Sequence, residues 1–114
     1  LLHTEFTDTN LLIAQTDLGW RLSATTDFEP AMLGLPEYDL MGAAIFLARG
    51  DAAAVAELFR AYGYPPHDAA RADRLMVHTL LHRYSHLGFF WKQVSQAPFP
   101  ATLQQLTAGL FPGV

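Results

Sequence analysis

Apolar and polar positions change rhythm several times along the chain, and each change marks an element. Leu11-Leu12-Ile13-Ala14 is a short apolar run, Thr16-Asp17-Leu18-Gly19 carries turn residues, and Trp20-Arg21-Leu22-Ser23-Ala24 alternates large apolar with polar or small side chains. The pattern predicts a β-hairpin over roughly 11–15 and 20–25. Antiparallel neighbours lie ~5 Å apart, so such a hairpin brings Asn10 and Asp27, at its two feet, close together. Pro30, Gly34 and Pro36 interrupt the following stretch too often for a helix, and 28–38 reads as an ordered loop.

Helical periodicity begins at Tyr38 and Asp39, where Leu40, Ala43, Ala44 and Leu47 recur at the i, i+3, i+4, i+7 spacing of a buried face before Gly50 stops it. Asp51 caps a second helix with Val55, Leu58, Phe59 and Tyr62 as its stripe, ended by Gly63 and Pro65-Pro66. The two are expected to pack as an antiparallel pair. Asp68 or His67 opens a third and longest helix over approximately 68–87, with Leu75, Met76, Leu80, Tyr84 and Leu87 apolar, whose length suggests a central element. Gly88, Pro98 and Pro100 mark its exit, and 101–108, with Leu103 and Leu106, forms a last short helix before Gly109. With no repeat or linker in view, 1–114 reads as one α+β, mostly helical domain: a short β-hairpin followed by about four helices.

Composition narrows the classes. Of the 114 residues 51% are hydrophobic and 16% charged, which argues for a packed interior and against disorder. Cysteine is absent, excluding disulfides and thiolate metal sites and favouring a cytoplasmic protein. The longest uncharged apolar run, Leu40 to Ala48, falls well short of the ~20 residues a bilayer needs, so no membrane partner is expected. Net charge is −4, and seven of the eleven acids precede residue 40 against one base, Arg21. That balance opposes nucleic-acid binding. It suits divalent cations or a cationic organic molecule, with a solvated acidic surface as the plainer alternative. Lacking both an initiator Met and a signal segment, the sequence reads as an internal fragment or processed product.

The chemistry-bearing residues cluster early: His3-Thr4-Glu5-Phe6-Thr7-Asp8-Thr9-Asn10, then Asp27-Phe28-Glu29 beyond the hairpin, then Gly34-Leu35-Pro36-Glu37-Tyr38-Asp39-Leu40 leading into a helix. Taken singly, a Glu-x4-Asn and a distant Asp are weak signals, because such residues serve turns. In this joint order, over residues 2–40, the chain resembles the aminoglycoside phosphotransferase and choline-kinase-like family of the protein-kinase-like fold. The resemblance implies the C-terminal lobe of an ATP- or GTP-dependent phosphotransferase acting on a hydroxyl of a small molecule, cationic or sugar-like. It implies Glu5 as the carboxylate that orients the hydroxyl, where the family usually has Asp, and Asn10 and Asp27 as Mg²⁺ ligands. His3 and Asp39 would support the catalytic loop. Asp8 is a capping or substrate-facing acid. The alternative is a non-catalytic helical binding or dimerisation module that keeps a kinase-like loop as scaffold.

Nucleotide binding in that family also needs a β-rich first lobe with a phosphate-gripping Lys and a covering loop. The sole lysine here is Lys92, and no Gly-rich phosphate loop occurs. The nucleotide-binding lobe is therefore read as absent and the isolated chain as inactive, with self-association expected through the surface that lobe would cover. His78, His82 and His86 recur every four residues on the long helix. Successive steps drift by ~40°, so a structural or substrate-lining role is preferred to a transition-metal site. Phe89, Phe90 and Trp91 are read as core or interdomain packing.

Overall fold

A computed structural model describes residues 1–66 and 68–114; His67, one of the two residues expected to open the third helix, lies outside the described residues. A single 3₁₀ turn at Asp8–Asn10 leads into strand β1 (Leu11–Thr16), which pairs antiparallel with β2 (Gly19–Thr25). Five α-helices follow among the described residues: α1 Glu37–Phe46, α2 Ala52–Tyr62, α3 Arg71–Leu81, α4 Leu87–Val94 and α5 Leu103–Leu110. The class is α+β, as the periodicity indicates, with one helix more than expected.

The hairpin forms where turn chemistry and alternation place it. Thr16 pairs with Gly19 across Asp17-Leu18, and Gly19 takes φ 97°, a conformation only glycine adopts without cost. Leu12 opposes Ala24 but Ile13 opposes Leu22, so Ser23 is the extra residue of a bulge; its hydroxyl donates to the Leu12 carbonyl at 2.9 Å. Neither strand packs substantially on a helix, and Leu12, Ile13, Trp20 and Leu22 stay exposed.

The core is helical and centred on α1, not on the third helix. Leu40, Met41, Ala43, Ala44 and Ile45 are all buried, and α1 touches α2, α3 and α4. With apolar residues on every side, a short helix of small side chains fills the middle better than a long amphipathic one. Val55 and Phe59 from α2, Leu75 and Met76 from α3, Phe90 from α4 and Leu106 and Leu110 from α5 close around it. Asp51 accepts the amides of Ala53 and Ala54, and Gly63 ends α2 at φ 95°. Beyond it the Arg71 guanidinium lies between the rings of Phe59 and Tyr64 and donates to the Pro65 carbonyl, tying the α2–α3 connection to the core.

The expected helix over 68–87 is two helices. Asp68 caps a preceding turn by accepting the Ala70 amide at 3.1 Å, and α3 itself starts at Arg71. It ends at Leu81 because His82 turns extended, with ψ 137°, and spends its ring on tertiary partners. His86 then starts α4 by accepting the Phe89 amide at 3.0 Å. His78, His82 and His86 thus do not share a helix. The last helix is displaced too: Thr102 caps it through the Gln105 amide, and it runs past Gly109 to Leu110. Gly109 is required there by packing, since a Cβ would lie 2.4 Å from the Trp91 ring.

Candidate active site

The segment His3–Glu5 is anchored from four directions. Asp39, in the first turn of α1, accepts the His3 and Thr4 amides, each at 2.7 Å. The Thr4 hydroxyl donates to the Pro30 carbonyl at 3.2 Å. His3 Nε2 lies 2.7 Å from the Thr26 carbonyl, so that nitrogen carries the proton, and Nδ1 accepts the Glu5 amide at 3.3 Å. The His3 ring packs between Phe6 and Phe28, linking the loop to the foot of the hairpin. Thr4, 2% exposed, is held at φ 70°. A β-branched residue in the left-handed region is strained by about 1–3 kcal/mol, a cost met by the surrounding hydrogen bonds.

Beyond Glu5, the Asn10 carbonyl accepts the Thr26 amide at 3.0 Å, closing the hairpin one step past the Leu11–Thr25 pair. Asp27 follows directly, at φ 66°, a conformation Asp tolerates better than most residues. Glu5, Asn10 and Asp27 all line one cavity of about 270 Å³, together with Thr4, Phe6, Met41, Phe46, His82, Tyr84, Phe89 and Phe90. Residues separated by the whole hairpin therefore meet at one opening.

The donor set fits a hard divalent cation. Asn10 Nδ2 donates to the Glu5 carbonyl at 2.9 Å, which leaves the amide oxygen as its free group. Among the described residues, neither that oxygen nor the carboxylates of Glu5 and Asp27 take part in a hydrogen bond, and no cluster of three His, Cys, Asp or Glu side chains forms a separate metal site. An amide oxygen and a carboxylate are the ligand types Mg²⁺ prefers, alongside water and phosphate. Asp8 points elsewhere: it pairs with Arg49 at 2.5 Å on the surface.

Several contributors lie outside the motif. His82 Nε2 donates to the Thr4 carbonyl at 3.0 Å, and its ring stacks on Tyr38 with centroids 4.6 Å apart. Burial holds the His82 imidazole below its ordinary pKa; Arg83 adds to this, opposed by the Thr4 hydrogen bond and by Glu5 and Asp39. Phe90 is core as expected, whereas Phe89 is half exposed and, with Tyr84, forms the cavity's aromatic wall. Periodicity carried no signal for these roles, because the turn that creates them interrupts the predicted helix.

A loop braced by a helix-borne carboxylate thus sets a Glu, an Asn and an Asp around one cleft. The model of the phosphotransferase enzyme family matches residues 1–74. The chain belongs to that family, the aminoglycoside phosphotransferase and choline-kinase-like group. No curated protein and no solved structure matches it significantly.

Proposed function

We propose that the chain is the acceptor- and metal-binding lobe of an ATP- or GTP-dependent phosphotransferase that phosphorylates a hydroxyl of a small molecule. The observation that carries this reading is the convergence of Glu5, Asn10 and Asp27, from both sides of the hairpin, on one cavity. Glu5 would accept the hydrogen bond of the incoming hydroxyl and orient it. Asn10 and Asp27 would hold Mg²⁺, which when bound supplies charge neutralisation on the transferring phosphate. Asp39 and His3 keep the loop in shape. Phosphoryl transfer asks for alignment and charge stabilisation more than for a strong base.

On this reading a preceding lobe grips the nucleotide, and the 114 residues alone do not turn over. The acceptor is cationic or sugar-like, laying an ammonium group or an apolar ring face against Tyr84 and Phe89. Its reactive hydroxyl points to Glu5. The binding-module alternative expects the site oxygens to be tied up locally, and the unengaged carboxylates of Glu5 and Asp27 favour transfer chemistry instead.

The test is γ-phosphate transfer from labelled ATP or GTP by the enzyme that includes this chain, against aminoglycosides, macrolides, choline and homoserine. Glu5→Gln and Asp27→Ala should each lower kcat by about 10²–10³-fold. Full turnover in both variants would overturn the assignment.

A further inference from the structure

The Thr4–Glu5 peptide unit is held at both ends by imidazoles. Its N–H, from Glu5, donates to His3 Nδ1 at 3.3 Å; its carbonyl, from Thr4, accepts from His82 Nε2 at 3.0 Å. His3 belongs to the motif. His82 does not: it is 78 residues from Thr4 and beyond the 1–74 stretch that the family model covers. Its own ring is held at both nitrogens and on one face. One face stacks on Tyr38, whose hydroxyl accepts the Arg83 amide at 3.1 Å, and Nδ1 accepts the Tyr84 amide at 3.2 Å. With Nε2 against a carbonyl and Nδ1 against an N–H, the ring is the neutral Nε2–H tautomer.

That placement needs a reason. Thr4 occupies a left-handed conformation that a β-branched residue resists, at φ 70°. Asp39 fixes its amide and Pro30 its hydroxyl, but neither determines which way its carbonyl faces. The carbonyl direction goes with the plane of the peptide that carries Glu5; His3 Nδ1 holds the N–H end of that plane at 3.3 Å, and at the carbonyl end His82, among the described residues, makes the hydrogen bond at 3.0 Å. A rotation of that plane would move the Glu5 side chain relative to Asn10 and Asp27. The termination of α3 at Leu81 is what brings the imidazole to this carbonyl.

We propose that His82 is a positioning residue for Glu5, its Nε2–H holding the Thr4 carbonyl so that the carboxylate faces the cavity. The value of this for turnover rests on the proposed phosphotransferase function; the structural link does not. His82→Phe keeps a ring for Tyr38 and removes the donor, whereas His82→Gln restores an N–H at a similar reach. In ¹⁵N-labelled 114-residue chain, long-range imidazole spectra of the unaltered protein should report a neutral Nε2–H tautomer. His82→Phe should shift the Glu5 amide and change the Glu5 φ-sensitive coupling, which reports rotation of the Thr4–Glu5 peptide plane, while α2 and α5 resonances stay in place. His82→Gln should return both.

In the enzyme that includes this chain, His82→Phe should lower kcat by about 100-fold with the nucleotide KM unchanged, since a displacement of about 1 Å costs that much. His82→Gln should recover most of it. An Nδ1–H tautomer in the unaltered chain, or Thr4 and Glu5 signals indifferent to His82→Phe, overturns the proposal whatever the enzyme does. Should His82→Phe fail to fold, the tautomer and the His82→Gln spectra decide. Loss of all phosphotransferase activity in the parent enzyme would instead refute the functional reading and leave the backbone result standing.

Discussion

Replacing Asp39 with Asn tests how the loop is held. Both carboxylate oxygens accept buried backbone amides at 2.7 Å, from His3 at 5% and Thr4 at 2% exposure. Hydrogen bonds to a charged acceptor are each worth about 1.5–3 kcal/mol, against about 1 for a neutral one. An asparagine keeps one acceptor, now neutral, and turns its NH₂ toward the other amide, leaving a buried donor unpaired. The net loss should be about 2–4 kcal/mol, with the lower half favoured if Thr4 relaxes out of its left-handed conformation and recovers strain. For a domain of this size that corresponds to a fall in Tm of about 8–16 °C. Urea and thermal unfolding of the two chains give the magnitude, and the Thr4 and Glu5 amide resonances give the location. A change under about 0.5 kcal/mol with those resonances unmoved would refute the claim that Asp39 holds the loop.

Other perturbations follow from the same geometry. Gly109→Ala places a Cβ 2.4 Å from the Trp91 ring, whose Nε1 donates to the Ala97 carbonyl at 2.8 Å and so resists displacement. It should cost about 1–3 kcal/mol and red-shift Trp91 fluorescence, measured with exposed Trp20 changed to Phe. Because the folded state holds the His82 pKa below the ordinary 6.5, the unfolded chain takes up the proton first. That contribution is complete above the ordinary value and is lost as pH falls through and below it, so thermal melts from pH 7.5 down to 5 should slope downward; in His82→Gln the slope should flatten. The exposed hairpin residues Ile13, Trp20 and Leu22 should drive self-association, which light scattering at rising concentration would detect and Trp20→Ser with Leu22→Ser would reduce. A strict monomer at high concentration would count against that surface.

Local chemistry made part of this molecule readable in advance. The hairpin and α2 announce themselves through residues adjacent in sequence: Asp17, Leu18 and Gly19 at one turn, Asp51 and Gly63 at the two helix ends. The site motif is likewise local, and its two halves meet because a hairpin returns the chain to its start. What periodicity could not give is anything decided across the fold. An unbroken apolar pattern spans His82, yet the Thr4 carbonyl and the Tyr38 ring draw that residue out of the helix. The extension of α5 through Gly109 depends in the same way on a tryptophan from α4. The central position of α1 comes from its small residues and neighbours on three sides, which a length comparison does not register.

Paramagnetic broadening by Mn²⁺, used in place of Mg²⁺, addresses the site itself. Titrated into the ¹⁵N-labelled chain, the ion should broaden the Asn10 side-chain amide and the backbone signals around Asp27 and Glu5 first, and Asp27→Ala combined with Asn10→Ala should abolish the effect. Broadening centred instead on the surface acids Asp8, Asp17 or Glu29, and unchanged in the double variant, would contradict a divalent cation bound at the feet of the hairpin.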